Sequence, residues 1–236
     1  MRRHYMEPLI DLESNPRRNT SLIIVSVLVV IVAIYGVAQF NRLGQTDFVE
    51  VRDYQGVRLS SINDFRENSI KGPQEVNVTD YRLQVYGLVE TPLNYTYWEV
   101  LDNFTSYKKV VTLNCVEGWS ATVLWEGVRI MDLLMAADPD EAAEIIIFHA
   151  EDGYTTSLTI DEIRDNELIL AYKINEVTLP EDRGFPFQLV AECKWGYKWC
   201  RWVNGLELSA NTDYEGYWER RGYSNTGDLD DPFWGN

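Results

Sequence analysis

The chain has 236 residues, of which 45% are hydrophobic and 13% aromatic, so it can bury a core and is not a disordered chain. Its formal net charge is −16, although residues 1–45 carry five Arg against three acids. Because an acidic surface repels phosphate backbones, the composition excludes nucleic acid as a partner. The length predicts one domain with a short appendage.

An uncharged apolar run begins shortly after the N-terminus. Residues 21–38 read SLIIVSVLVVIVAIYGVA, and at about 1.5 Å per residue they reach about 27 Å, close to the thickness of a hydrocarbon core. More Arg residues precede the run than follow it. The positive-inside rule therefore places residues 1–20 in the cytoplasm and the large domain outside the cell membrane, as a single-pass protein.

Residues that flank this transmembrane segment leave its processing open. Arg17 and Arg18 stand directly before it and resemble a twin-arginine export signal, which suits a protein that folds before export. Gly36 and Ala38 form a candidate small-residue cleavage site, so a removable signal stays open beside the favoured anchor. Residues 39–60 are polar and mixed, and we predict a linker there, followed by one domain over residues 61–236.

The domain is predicted to be α+β, with short strands and helices inserted between them. Alternating or continuous apolar patterns predict strands over residues 81–89, 109–115, 144–150, 168–174, 185–190 and 201–208. Helices are predicted over residues 96–104, with Thr96 as N-cap, and over residues 128–137 and 159–165.

Several chemistries lack the residues they need. The two histidines are His4 and His149, and His4 lies on the far side of the predicted span, so a zinc site built from several imidazoles is excluded. His149 lies in an apolar strand pattern, where a packing role is favoured over a hydrolase triad. The sequence has no GxxxxGK[ST] loop and no GxGxxG motif, so nucleotide binding has no local support.

Three cysteines leave at least one thiol unpaired within the chain. Cys193 and Cys200 can form a disulfide or pack as small apolar side chains. Cys115 ends a hydrophobic strand and opens the segment CVEGWS, where Gly118 permits close approach of the backbone to a bulky group. Because thiolates prefer soft metals, Cys115 is a candidate metal ligand, with a buried inert cysteine as the alternative.

Four segments of the chain resemble the sulfite oxidase family. TLNCVEGWS is similar to the molybdenum-ligand segment of the family's reductase-like branch, which includes periplasmic methionine sulfoxide reductases. Residues 170–203 resemble the pterin-binding segment, and GYWERRGYS resembles the C-terminal active-site segment. Together with residues 81–89, these segments occur in the family's order. The resemblance implies a mixed, strand-rich molybdopterin-binding fold preceded by one transmembrane helix, with molybdenum-molybdopterin as the cofactor.

The resemblance also implies a role for individual residues. Cys115 would supply the one protein ligand to the metal. The implied cofactor contacts are Asn68, Ser69, Arg183, Gly196, Tyr197, Lys198 and Arg201, among which Lys198 and Arg201 would hold the pterin phosphate. Tyr223 falls on the family's tyrosine that faces the metal site, and we expect Tyr223 or Ser120 to donate a hydrogen bond to the substrate.

Departures from the family bear on the substrate. Sulfite oxidases place an arginine five residues after the metal-bound cysteine to hold an anionic substrate, and Ser120 stands at that position. Their second arginine falls on Glu67 or, in a shifted register, on Arg66. Because this charge is missing, we expect a neutral S-oxide or N-oxide to be reduced. Oxidation of an anionic sulfur compound, as in sulfite oxidases, is the alternative.

Two other departures keep a different class of function open. Gln188 replaces a pterin-contacting Arg, and Ala150 replaces a pterin-contacting Thr, so a cofactor-free, membrane-anchored binding module is the second hypothesis. For the enzyme, the expected partners are a small-molecule substrate and a separate electron-transfer protein or membrane redox subunit. The reason is that the chain has no CxxCH haem-attachment motif and no iron–sulfur cysteine set.

Overall fold

The computed structural model describes residues 49–235, which form twelve strands and three short α-helices. In chain order the strands are β1 (Asp53–Tyr54), β2 (Val57–Arg58), β3 (Leu83–Gly87), β4 (Leu93–Tyr95), β5 (Ser106–Asn114), β6 (Ser120–Arg129), β7 (Ile145–Ala150), β8 (Thr155–Thr159), β9 (Ile169–Ile174), β10 (Val177–Thr178), β11 (Gln188–Val190) and β12 (Val203–Ser209). The helices are α1 (Tyr97–Asn103), α2 (Ile130–Ala136) and α3 (Ile160–Asp165). The strand-rich α+β class predicted from the sequence is confirmed.

Two five-stranded sheets carry most of the strands. In the first sheet the order is β10-β9-β6-β5, β11 also pairs with β9, and every pairing is antiparallel. In the second sheet the order is β4-β3-β12-β7-β8, where β3 and β12 run parallel and the other neighbours run antiparallel. The strands β1 and β2 form a separate hairpin. The edges of the second sheet are therefore β4 and β8.

The core is built on the apolar faces of these strands, and Trp125 on β6 lies in it with no exposed surface. Its ring packs edge-on against Phe65 at 6.1 Å between centroids and lies 5.8 Å from the ring of Trp199. Phe65 and Trp199 belong to two loops of the chain. Packing on Trp125 thus fixes both loops against the first sheet.

Two helix starts follow from their capping sequences. The Thr96 hydroxyl accepts a hydrogen bond from the Glu99 backbone N–H, and the Glu99 carboxylate accepts one from the Thr96 backbone N–H. Thr159 and Glu162 form the same capping box at α3. These reciprocal bonds satisfy backbone donors that an uncapped helix leaves free. The predicted helices over residues 96–104 and 159–165 are confirmed.

Other predicted elements differ from the structure. The helix predicted over residues 128–137 begins two residues later, because Val128 and Arg129 still belong to β6 and pair with Leu170 and Ile169. The strand predicted over residues 185–190 shortens to β11, since Pro186 has no backbone N–H to donate to a neighbouring strand. The strand β6 was not predicted, because its residues from 123 to 128 are buried on both faces and do not alternate.

The folded unit includes residues that the sequence assigns to the linker. Of residues 39–60, the structure describes 49–60, and these hold β1, β2 and the buried Leu59. The Glu50 carboxylate accepts hydrogen bonds from the Ile62 backbone N–H at 2.9 Å and from Asn175 Nδ2 at 3.1 Å. Residues 1–20 and the predicted span over residues 21–38 lie outside the described residues. Among the residues described, no helix is long and apolar enough to cross a membrane.

Candidate active site

A cavity of about 190 Å³ opens where loops from both sheets meet. Residues that line it include Phe65, Arg66, Asn68, Ser69, Cys115, Glu117, Trp119, Asp152, Tyr154, Arg183, Gly196, Tyr197, Arg201, Trp218 and Tyr223. The wall contains one thiol, three guanidinium groups and two carboxylates. Most of its larger side chains are aromatic. Pockets that hold a cofactor have this character, with a few polar groups set among apolar and aromatic ones.

Cys115 lies directly after β5, at the start of a tight hairpin loop that leads into β6. Its backbone N–H donates to the Trp119 carbonyl at 2.9 Å, and its carbonyl accepts from the Gly118 N–H at 3.0 Å. Gly118 has a φ of +84°, which glycine adopts without strain, so the loop can close. The loop thereby fixes the backbone that carries the thiol.

The Cys115 thiol is buried, and a neighbouring loop packs closely against its backbone. A Cβ placed on Gly196 would lie 3.4 Å from the Cys115 Cα and 3.2 Å from the Asn114 carbonyl oxygen, so a side chain at position 196 would crowd the strand end. Burial raises the pKa of the Cys115 thiol, and the Glu117 carboxylate adds to this rise. A hydrogen bond from Asn68 Nδ2, with the nitrogen 3.6 Å from Sγ, opposes it.

Two guanidinium groups lie in the same wall of the cavity. Arg183 is buried, and its Nη2 lies 2.7 Å from Asp182 Oδ2. Arg201 Nη2 lies 3.1 Å from Glu67 Oε1, and its Nη1 donates to the Asp182 carbonyl at 3.0 Å. Gly184, at φ +99°, permits this packing, because a Cβ there would lie 3.1 Å from Cβ and Cγ of Arg201.

The loop before β3 brings Asn68 and Ser69 to the cavity. Asn68 connects its two sides, since Nδ2 donates to Cys115 Sγ and Oδ1 accepts from Arg201 Nη2 at 3.4 Å. The Ser69 backbone N–H donates to Glu67 Oε1 at 2.8 Å, while its buried hydroxyl has no hydrogen-bond partner among the described residues. The sequence-predicted Asn68 and Ser69 therefore lie beside Cys115 and Arg201.

The C-terminal segment supplies the aromatic wall. The Tyr223 ring packs edge-on against Tyr197 at 5.0 Å between centroids and lies 5.2 Å from Trp218. The Tyr197 hydroxyl donates to the Ser224 carbonyl at 2.8 Å, which holds the segment in place. Burial raises the pKa of Tyr223, and the neighbouring Cys115 and Glu117 add to the rise, so its hydroxyl stays protonated near neutral pH.

Two of the predicted site residues lie elsewhere. Lys198 does not line the cavity, because its buried Nζ donates to Glu219 Oε1 at 2.8 Å and to the Asn225 carbonyl at 2.7 Å. Ser120 is exposed and opens β6 opposite Asn114, outside the cavity lining. Strand alternation explains this, since the next residue, Ala121, is the one that faces the core.

The structure also brings in residues that the sequence reading did not assign to the site. Asp152 is 2% exposed and lines the cavity, with Oδ1 accepting from the Tyr154 N–H at 2.9 Å, and burial raises the pKa of its carboxyl group. In the sequence, Asp152 stands in a Glu-Asp-Gly segment, and an acidic residue in such a turn is usually exposed to solvent. Arg66 and Glu117 are exposed and place one charge of each sign at the cavity.

Unpartnered polar atoms test whether these residues suit a molybdopterin. Arg183 Nε and the Ser69 hydroxyl are both buried without a hydrogen-bond partner among the described residues, and both residues line the cavity. Such groups are rare in folded proteins unless a ligand satisfies them. A phosphate would accept from these donors, Asp152 would accept from pterin N–H groups, and Cys115 offers a soft sulfur ligand. The residues present therefore fit the cofactor.

A strand-rich domain with a buried thiol, an unpartnered guanidinium N–H and an aromatic wall around one cavity is typical of a cofactor-dependent oxidoreductase. The chain belongs to the oxidoreductase molybdopterin-binding domain family, whose sequence model matches residues 70–218. This is the sulfite oxidase-type domain that the resemblance predicted, and the prediction is confirmed. The protein is accordingly a molybdopterin-binding oxidoreductase.

Relatives with curated names agree with this assignment. The uncharacterized oxidoreductase YuiH of Bacillus subtilis (strain 168) is 35% identical over 157 residues, which cover 66% of this chain and 78% of that protein. The protein-methionine-sulfoxide reductase catalytic subunit MsrP of Gluconobacter oxydans (strain 621H) is 27% identical over 145 residues, covering 54% of this chain. The match spans about half of that relative's length, at 46%.

A solved structure shares the fold. The sulfane dehydrogenase SoxCD from Paracoccus pantotrophus matches with a TM-score of 0.58 and 22% identity, covering 64% of this chain and 42% of that chain. At this identity the likeness establishes the fold alone. It agrees with the mixed, strand-rich architecture of residues 49–235.

Proposed function

We propose that this protein is a membrane-anchored molybdenum oxidoreductase that reduces a neutral S-oxide or N-oxide of a small molecule. The observation that carries the proposal is the cavity itself, which is lined by Cys115, Arg183, Arg201 and Tyr223. Reduction of an S-oxide breaks the S–O bond, consumes two electrons and two protons, and releases water. The electrons come from a separate carrier.

Residues on one side of the cavity would hold the cofactor. Cys115 would bind the metal through Sγ, and Asn68 would orient that sulfur through its hydrogen bond. Arg183, Arg201 and Ser69 would bind the pterin phosphate or its polar groups with charge-assisted hydrogen bonds. When bound, the molybdenum cofactor supplies two-electron oxygen-atom transfer.

Residues on the other side would bind the substrate. Tyr223 would donate a hydrogen bond to the substrate oxygen through its protonated hydroxyl. Trp119 and Trp218 line the same cavity with apolar surface, which excludes water and suits an organic sulfur compound. This arrangement favours a substrate that has a polar oxygen and an apolar body.

The charges at the cavity favour a neutral substrate. Arg66 and Glu117 contribute one positive and one negative charge, so they do not form the pair of cations that an oxyanion needs in a partly desolvated pocket. Arg183 and Arg201 already face Asp182 and Glu67. Arg66 is the one feature that supports the alternative, oxidation of an anionic sulfur compound, because it stands upstream of the cysteine as the oxidases' second arginine does.

Steady-state assays on purified protein expressed with molybdate test the substrate. With an artificial electron donor, we expect turnover of methionine sulfoxide, dimethyl sulfoxide or trimethylamine N-oxide, and molybdenum in the protein by elemental analysis. If sulfite oxidation had a higher kcat/KM than every neutral oxide, the proposed substrate class would be wrong. Molybdenum-free protein would instead support the cofactor-free binding module, which the family assignment disfavours.

The location and electron partner are part of the same proposal. Because the sequence carries no CxxCH haem-attachment motif and no iron–sulfur cysteine set, we expect the electrons to come from another protein. The relative MsrP is named a catalytic subunit, which supports a partner subunit here. We expect protease added to right-side-out cells to digest epitopes beyond residue 45 and to spare one before Arg17. Protection of the domain would reverse this topology.

A further inference from the structure

The sequence holds four Asn-x-Ser/Thr triplets, in which the middle residue is not Pro. They begin at Asn19, Asn77, Asn94 and Asn103, so three of them fall within 27 residues of the folded domain. A random chain with this content of Asn, Ser and Thr would carry about one or two. Such triplets are the acceptors of N-linked glycans in exported proteins, provided that the asparagine is on the surface.

The structure presents all three asparagines of the domain to solvent. Asn77, Asn94 and Asn103 are exposed. The middle residues of the triplets, Val78, Tyr95 and Phe104, are instead partly buried and pack against the hydrophobic core. In each triplet the middle residue therefore packs against the core, while the asparagine side chain is exposed to solvent.

Packing brings the triplets to one corner of the second sheet. The rings of Tyr95 and Phe104 meet edge-on at 5.4 Å between centroids, so the triplets at Asn94 and Asn103 are neighbours. Tyr95 also pairs with Leu83 at the start of β3. The turn at Asn77 leads directly into that strand, since the Asn77 carbonyl accepts from the Tyr81 N–H at 3.0 Å.

The triplet at Asn77 is held in an ordered turn. Its Oδ1 accepts hydrogen bonds from the Thr79 backbone N–H at 3.1 Å and from the Thr79 hydroxyl at 2.7 Å, while Nδ2 donates to Asp80 Oδ2 at 2.7 Å. The asparagine and threonine side chains of the triplet thus pair with each other on the surface. An enzyme that reads both side chains would find them already side by side.

We propose that the domain is N-glycosylated at Asn77, Asn94 and Asn103. The donor is a lipid-linked glycan phosphate at the outer face of the membrane. In each transfer, Nδ2 forms a bond to the anomeric carbon, the bond from that carbon to the phosphate oxygen breaks, and Nδ2 loses one proton to a base. Asn19 stays unmodified, because it precedes the apolar run and lies on the cytoplasmic side of the proposed topology.

The position of these sites has a physical consequence. The strand β4 is an edge strand of its sheet, and an open edge can pair with another chain. Glycans at Asn94 and Asn103 would cover this edge and the 59%-exposed ring of Trp98 between them. They would leave the active site open, since no residue between 71 and 112 lines the cavity.

The test uses full-length protein purified from the membranes of the cells that encode it. Peptides that contain the three asparagines are measured by mass spectrometry, and we expect each to carry a sugar mass. Thr105→Ala should remove the mass at Asn103, whereas Thr105→Ser should retain it, because serine also completes the triplet. Thr105 is exposed, and Asn94→Gln serves for the second site, since Thr96 caps α1 and must stay.

Unmodified asparagines at all three positions in the native protein would overturn the proposal. A mass that persists in Asn103→Gln or in Thr105→Ala would do the same, because the group would then not depend on the triplet. A sugar on Asn19 with none on the domain would also contradict the proposal. That result would place the N-terminal segment, and not the domain, on the outer side of the membrane.

Discussion

Lys198 and Glu219 form an ion pair in which neither side chain is exposed, with Nζ 2.8 Å from Oε1. The Thr156 hydroxyl donates to the same carboxylate oxygen at 2.7 Å, and Lys198 also donates to the Asn225 carbonyl. The pair therefore ties the turn at Gly196 to the C-terminal segment that carries Tyr223. In this arrangement Lys198 supports the cavity wall from behind, and the phosphate contact expected from the sequence stays a prediction.

Removing one partner of this pair should destabilise the domain. Lys198→Met leaves Glu219 buried and unpaired, so we expect the free energy of unfolding to fall by about 3–5 kcal/mol. The double variant Lys198→Met/Glu219→Leu leaves no buried charge and should recover part of the loss. Denaturant titration of the purified protein measures both. If Lys198→Met kept full stability but bound little pterin, Lys198 would instead be a ligand of the pterin phosphate.

The Cys115 thiol can be tested by a substitution of similar size. Cys115→Ser should abolish activity and lower the molybdenum content, because a hydroxyl is a harder and more weakly binding ligand than a thiolate. We expect the fold to persist, as judged by circular dichroism. Cys193→Ser is the matched control, since Cys193 is exposed and lies outside the cavity lining. Full activity of Cys115→Ser would show that another group binds the metal.

Local patterns predicted much of the fold. The capping boxes at Thr96 and Thr159 and the apolar strands that end at Asn114 and Ala150 involve neighbours in sequence, so their elements could be predicted. The strand β6 could not, because a strand covered on both faces lacks the alternation that marks a half-buried one. Its burial depends on partners β5 and β9, which are distant in sequence.

The site was predictable only where motif and geometry agree. Cys115, Arg183, Arg201 and Tyr223 lie in segments that resemble the family, and all four line the cavity. Asp152 could not be found, since an acid in a turn gives no sign that the folded chain buries it. The pairing of Lys198 with a carboxylate 21 residues away could not be predicted either, because it is a tertiary contact.

The buried Arg183 and the partly buried Arg201 should control cofactor retention. Arg201→Ala and Arg183→Ala each remove a charged donor worth about 1.5–3 kcal/mol to a phosphate, so we expect pterin affinity to fall by roughly 10-fold or more in each. Fluorescence of the oxidised pterin released from purified protein measures its content. Arg129→Ala is the control, because Arg129 pairs with Glu167 outside the cavity lining. If the pterin content of the Arg183/Arg201 double variant were unchanged, neither arginine would bind the cofactor.

The pairing of Lys194 with Glu162 and Asp228 predicts a pH dependence of stability. Burial raises the pKa of Glu162, but hydrogen bonds from Lys194 and Thr159 outweigh it and leave the pKa below the ordinary value of 4.5. Glu162 therefore stabilises the fold above about pH 4.5, and this contribution is lost as the pH falls through its lower folded-state pKa. Lys194 connects α3 to Asp228 in the C-terminal segment.

Glu162→Gln isolates this charge, since glutamine preserves the capping box with Thr159. We expect the variant to be less stable than the wild type by about 1.5–3 kcal/mol at pH 7. The difference should shrink toward zero below the folded-state pKa, where Glu162 is also neutral. Unfolding curves at several pH values measure it. A difference that does not shrink at any acid pH at which the protein still folds would show that the carboxylate charge does not stabilise the fold.

The charges at the cavity predict how substrate preference responds to substitution. Arg66 attracts an anion and Glu117 repels it, and both side chains are exposed, so each effect is small and screened by salt. We expect Glu117→Gln to raise kcat/KM for sulfite by roughly two- to fivefold and Arg66→Gln to lower it by a similar factor. Raising the ionic strength should reduce both effects.

A neutral sulfoxide should respond differently, because it carries no net charge for Arg66 or Glu117 to act on. For dimethyl sulfoxide with an artificial donor, kcat/KM in both variants should stay within about twofold of the wild type, while Tyr223→Phe should lower it by removing the hydroxyl donor. Parallel assays of the three variants with both substrates separate the two cases. If Arg66→Gln lowered the sulfoxide rate as strongly as Tyr223→Phe, Arg66 would be a direct substrate contact, and the argument from net charge would fail.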